Sequence, residues 1–162
     1  MTRAALRPTR CWSVQLQTRP ARPFSTIHTV KSCCGELARL NLGGSADGGD
    51  LAVAQQRYRI RRTSSGANGF VLEGPEGVLA TARAGSRPRC QEVAYSGHRL
   101  TVEPAATGRR TYVVSEGVVL RGSVRRRAPS FVRGWEADLG PEVPLTVQLL
   151  IAWLMLAPQI RL

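Results

Sequence analysis

From Arg57 onward, hydrophobic and polar residues alternate in short runs broken by turn sequences. RYRIRR (57–62) places Tyr58 and Ile60 on one face of a strand and Arg57, Arg59 and Arg61 on the other. The same pattern predicts strands over 69–73, 78–83, 90–95, 98–103, 110–115, 117–125 and 131–138. Between them lie SSGANG, GPEG, SG, ATG and SEG, rich in the residues that tight turns require. Eight short strands at this spacing predict a mainly β domain, an antiparallel barrel or sandwich.

An internal repeat narrows the choice. FVLEGPEGVLATAR (70–83) is answered by YVVSEGVVLRGSVR (112–125), and YRI (58–60) by HRL (98–100). Each copy then passes through a basic loop, AGSRPR or RRAPS, into another strand. A period of about 40 residues implies two four-stranded units that bury their apolar faces against each other, with the two basic loops at equivalent ends. On the inner face the expected residues are Val78, Ala80 and Ala82 in one copy, and Val118, Leu120, Gly122 and Val124 in the other. Such small residues leave interior space unfilled.

The last stretch, PEVPLTVQLLIAWLMLAPQIRL (141–162), changes period and predicts a helix over about 144–157 between Pro144 and Pro158. Its apolar residues point in every direction, so it must be buried on all sides. A bilayer core about 30 Å thick takes roughly 20 apolar residues. This run is shorter and is interrupted by Gln148, so no transmembrane span is expected and the inside of a barrel becomes its predicted place.

Residues 1–56 lack these patterns. Met1–Gly35 carries six basic residues and no acidic one, and GELARLNLGGSADGGD follows with linker-like glycines and aspartates. Three readings stay open: a disordered leader, a mitochondrial targeting peptide with a processing-like RPFST (22–26), or an over-extended start with the domain beginning near Val53. On each, the folded domain is 57–162 and the compartment is cytoplasmic, peripheral to a membrane, or mitochondrial if the leader targets.

The duplicated β-unit, the sequence RGWEADLGPEVPLTVQLLIAWLML and the terminal apolar helix resemble the LURP-one-related, Tubby C-terminal-like superfamily over 57–162. That resemblance implies a β-barrel, usually of 12 strands, enclosing a hydrophobic C-terminal helix. It also implies kinship in fold with phospholipid scramblases, and with Tubby-type members that bind phosphoinositides. With eight visible strands the chain would be a compact version.

Composition bears on chemistry more than on fold. The formal charge is +12, and Lys31 is the only lysine among 23 basic residues. Such a balance favours phosphate-bearing partners. Cys11, Cys33, Cys34 and Cys90 form neither a disulfide framework nor a zinc spacing. Neither a nucleophile motif nor a nucleotide-binding glycine pattern occurs, and no cofactor or metal is expected. His28 falls in the leader, and His98 opens a strand at the position equivalent to Tyr58. Cys90, beside Arg87 and Arg89, reads as a packed strand residue, and Glu76 and Glu116 as turn residues of the two copies. The remaining candidates are arginines that would hold anions: Arg57, Arg59 and Arg61 on one strand face about 6–7 Å apart, Arg87 and Arg89 in one loop, and Arg125, Arg126 and Arg127 in the other. The expectation is a non-enzymatic module binding anionic lipid headgroups or another polyanion. A short tail-anchored membrane protein and a nucleic-acid-binding basic domain are the alternatives. Sparse aromatic residues, not interleaved with arginine, weigh against single-stranded nucleic acid.

Overall fold

A computed structural model of the chain describes residues 14–20, 26–33, 35–42, 48–64, 69–106, 110–126 and 134–156. They form a mainly β structure, a single antiparallel sheet with one C-terminal helix. The strands are β1 (Val14–Pro20), β2 (Ile27–Ser32), β3 (Gly35–Asn41), β4 (Gly48–Val53), β5 (Gln56–Arg62) and β6 (Gly69–Gly74). They continue as β7 (Gly77–Ala84), β8 (Gln91–Tyr95), β9 (His98–Pro104), β10 (Thr111–Glu116), β11 (Val119–Arg126) and β12 (Trp135–Leu139), before helix α1 (Leu145–Leu156). Among the described residues consecutive strands pair antiparallel, and β1 pairs with both β2 and β12.

The strand positions reveal three units rather than two. β1, β5 and β9 begin at residues 14, 56 and 98; β2, β6 and β10 at 27, 69 and 111; β3, β7 and β11 at 35, 77 and 119. The repeat is therefore 42 residues, and the registers obey it. Val30 faces Ala38, Leu72 faces Ala80 and Val114 faces Gly122, and directly after each pair the ladder shifts by one residue in a bulge. Only β12 departs, two residues late, so that Leu51, Val93 and Ala137 are equivalent.

This overturns the expected boundary at residue 57. Residues 27–53 supply β2 to β4, with Val30, Leu40 and Leu51 as fully buried as their counterparts in the later units. His28, placed by sequence in a leader, is buried at the position of Phe70 and Tyr112. The first unit escaped notice because its apolar positions are held by scattered Val, Leu and Ala among glycines, and the 42-residue frame is not visible without the other two. The two four-stranded units expected from sequence give way to three. The frame also makes Gln56, not Tyr58, the counterpart of His98, since each begins a strand after a two-residue turn.

The bulges correct the inner-face assignment. In a regular strand Val78 and Leu120 would share a face with Ala80 and Gly122. The extra residue at each bulge, Leu79 or Arg121, breaks that alternation. Val78 and Leu120 consequently lie exposed, and Val118 falls in the β10–β11 turn, while Ala80, Ala82 and Val124 are buried as expected and Gly122 lies opposite the buried Val114. Gly122 is the residue its bulge requires. Its φ is +140°, and a Cβ there would collide with the Asp138 carbonyl of β12.

Helix α1 lies against the inner face of this sheet. The chain leaves β12, turns at Gly140–Val143 (Val143 N to Gly140 O, 3.1 Å) and enters the helix at Pro144, whose carbonyl accepts from the Val147 and Gln148 amides at 2.9 and 3.0 Å. Twelve residues at ~1.5 Å each give about 18 Å, close to the height of a six-residue strand at ~3.3 Å per residue. Burial extends all round: Leu149, Leu150, Ile151 and Ala152 are essentially inaccessible. Trp153 meets Phe70 of β6 edge-on at 5.0 Å between centroids and lies against Gly49 of β4, where a Cβ would come within 2.5 Å of the indole nitrogen. No helix among the described residues is long and apolar enough to cross a membrane.

Candidate anion-binding site

An up-and-down sheet delivers its connections alternately to two ends. The two-residue turns β4–β5, β6–β7, β8–β9 and β10–β11 all fall at one, the turn end. Ser96 and Gly97, at φ +43° and +80°, illustrate the left-handed turn geometry used there. The longer connections β5–β6, β7–β8, β9–β10 and β11–β12 leave from the opposite, loop end. Arg62, Arg87, Arg89, Arg110, Arg125 and Arg126 lie there.

Many of the expected anion-binding arginines are already paired. Arg57, Arg59 and Arg61 do line the outer face of β5. Arg61, however, donates Nε to Glu73 Oε2 at 2.9 Å and a second hydrogen bond from Nη2 to Oε1. That bidentate bond lowers the Glu73 carboxyl below its ordinary value and raises the guanidinium. Arg59 stands in register between Asp50 of β4 and Glu73 of β6. The stripe is thus interleaved with carboxylates rather than presented as an open row for phosphates.

The loop arginines divide similarly. Arg83 binds Glu92 at 2.6 Å across β7–β8, and Arg125 binds Glu136 at 3.2 Å across β11–β12. These two pairs are repeat equivalents, and Asn41 opposite Asp50 fills the place in the first unit. Arg87 reaches Glu103 at 3.1 Å. All are exposed on the arginine side, where a single ion pair is worth little.

Three described arginines at this end form no ion pair with any described residue: Arg89, Arg110 and Arg126. Arg89 is projected by a tight loop in which the Gly85 amide donates to the Cys90 carbonyl at 2.8 Å and the Cys90 amide to the Arg87 carbonyl at 3.1 Å. Its own φ is +62°. Cys90 anchors that loop inward, its sulfur so close to Gly85 that a Cβ there would approach within 2.7 Å. Burial, followed by Glu103 and Glu92, raises the Cys90 thiol above its ordinary value, so the neighbouring arginines do not make it a reactive thiolate. Arg126 donates its amide to the Arg110 carbonyl at 2.8 Å, which brings the two arginines together across β10–β11. Arg110 was not singled out from sequence. Its partnership with Arg126 depends on a hairpin register that spacing alone does not reveal. Arg127 lies outside the described residues.

A second polar constellation, at the turn end, was also missed. His98 Nδ1 lies 2.7 Å from Glu116 Oε1, Arg121 donates to Glu116 Oε2 at 2.6 and 3.0 Å, and Arg121 Nη1 reaches Glu142 at 2.8 Å. Tyr95 stacks on His98 at 5.2 Å. Glu116 is lowered first by its hydrogen bond to His98 and then by Arg121, and Glu142 first by a backbone hydrogen bond and then by Arg121. The network ties the β8–β9 turn and the β10–β11 hairpin to the segment that enters α1. Arg121 is the extra residue of the third bulge, so the bulge turns its guanidinium toward both carboxylates. Among the described residues, no group of His, Cys, Asp and Glu is arranged to hold a metal ion. Compared with protein-family models, curated proteins and solved structures, the chain matches none.

Proposed function

We propose that the chain is a non-enzymatic binding module whose loop end takes anionic headgroups at a lipid surface. The single observation that carries the reading is the placement of Arg89, Arg110 and Arg126, which form no ion pair with any described residue, at the end where the longer connections leave the sheet. Guanidinium groups suit phosphate oxygens because their planar fork offers paired donors. The net charge of +12 adds long-range attraction. In this reading the sheet acts as a closed barrel of the LURP-one-related, Tubby C-terminal-like kind, with α1 as its plug. The pairing of β1 with both β2 and β12, and the all-round burial of α1, support that view.

Flotation on liposomes tests it. The intact protein should rise with vesicles containing anionic phospholipid and stay behind with neutral ones. Each arginine near an anionic surface contributes about 1 kcal/mol, so R89E/R110E/R126E should weaken partitioning by about a hundredfold or more. Equal recovery on neutral and acidic vesicles, or an unaffected triple variant, sinks the proposal.

A further inference from the structure

The three-unit frame exposes a place filled in one unit and open in another. In the third unit the chain continues past β12, and the Gly140 amide donates to the Arg121 carbonyl at 2.8 Å while Glu142 binds the Arg121 side chain. The repeat makes Leu79 the counterpart of Arg121 and Ser96 that of Gly140. There the chain behaves differently. Pairing between β7 and β8 stops at Thr81 and Ala94, and Ser96 bends away into the β8–β9 turn. The last residue of β8, Tyr95, lies level with Ala80, so Val78 and Leu79 extend beyond the end of β8.

Beside that extension lies a groove of about 330 Å³, walled by Val78, Leu79, Tyr95 and His98 and reaching Arg99. Val78 and Leu79 are exposed apolar residues. Arg99 forms no ion pair with any described residue, and it also lines the adjoining hollow over Thr81, Arg83, Glu92 and Ala94. A strand segment reaching past its neighbour, apolar contacts and a free guanidinium are the components of β-strand addition with a charged selectivity element.

We propose that this groove docks an extended acidic peptide segment, which adds beside Val78 and Leu79 and places a carboxylate on Arg99. The chain's own turn at Gly140–Glu142 supplies a chemical parallel, a backbone amide on the Arg121 carbonyl and a glutamate on the guanidinium of that same residue; beside Leu79 the guanidinium at hand is that of Arg99. The occupant runs antiparallel to β7, as β8 does. The groove is at the turn end and is separate from the arginines of the loop end.

The probe is a blocked synthetic peptide LGPEVP, copied from residues 139–144, titrated to millimolar concentration into the full-length protein and followed by amide NMR. Shifts should concentrate at Val78–Ala80 and around Ser96–Arg99, and a peptide with Gln in place of Glu should bind several-fold more weakly. R99E, on an exposed side chain, should cut affinity about tenfold or more, and V78D should do so with Arg99 intact. R110E/R126E should leave binding within about twofold. The proposal fails if shifts appear only at the loop end, or if R99E binds as well as the native protein. It also fails if concentration alone, without peptide, produces the same shifts, because the occupant would then be a second copy of the chain.

Discussion

Arg121 shows how one inserted residue sets local chemistry. As the extra residue of the third bulge it can reach Glu116 on its own hairpin and Glu142 before the helix, whereas its counterpart Leu79 is an exposed apolar residue. Glu116 is held below its ordinary value of 4.5 in the folded protein. A carboxyl depressed by folding contributes stability in full above its unfolded value and loses it as pH falls through the lower folded one. E116Q should therefore be less stable than the native chain at neutral pH, with the gap closing as pH falls below 4.5. Urea denaturation at several pH values reads this directly, and a pH-independent gap contradicts it. Gly122 offers a backbone counterpart. G122A should cost on the order of 1–3 kcal/mol or more, because positive φ and the Asp138 carbonyl both oppose a side chain. V118S, at a fully exposed turn residue, should be silent. The sequence displayed Glu116 and Gly122 plainly, but their roles depend on a bulge that alternation cannot foresee.

At the scale of elements, α1 was the most legible part of the chain. An apolar run bounded by prolines and too short for a bilayer predicts a buried helix, and residues 145–156 form one. Gln148 was harder to read. In the sequence it interrupts an apolar run, whereas in the fold its Nε2 donates to the Val143 carbonyl at 2.8 Å, satisfying a buried acceptor at the helix entrance. Q148L leaves that carbonyl unpaired and should destabilise by about 1–3 kcal/mol despite its added hydrophobicity. I151A should cost about 2–5 kcal/mol as a core truncation, and I151D should abolish the cooperative transition. Thermal melts of the three variants check these values. A soluble, fully folded I151D would mean that α1 is not in the core. The later strands were legible to within a residue or two, except the last, read over 131–138, of which the described strand is Trp135–Leu139. The facing of residues was misread at the bulged ends, at Val78 and Leu120.

For the whole molecule, the decisive feature is the 42-residue frame. From sequence, two copies were visible, offset by about 40 residues for the strand pair 58–60 and 98–100, and the first unit was assigned to a leader. Its core residues alternate as the others do, but acid-free flanks and the glycines around β4 mask them. The frame also explains the separation of chemistry between the ends. Tight turns leave apolar tips and the Glu116 network at one, and longer connections gather arginines at the other. A chain beginning at residue 57 would lack β1–β4, leaving β5 and β12 each with one unpaired edge and α1 partly uncovered. It should aggregate rather than fold.

Native-state hydrogen exchange compares the three units within one sample. If each contributes equally to one core, the amides of Val30, Leu40 and Leu51 should exchange as slowly as those of Leu72, Ala82 and Val93, and of Val114, Val124 and Ala137. All nine should be limited by global unfolding. Rapid exchange across residues 27–53, with protection confined to the later strands, would contradict the three-unit fold on which the placement of both ends rests.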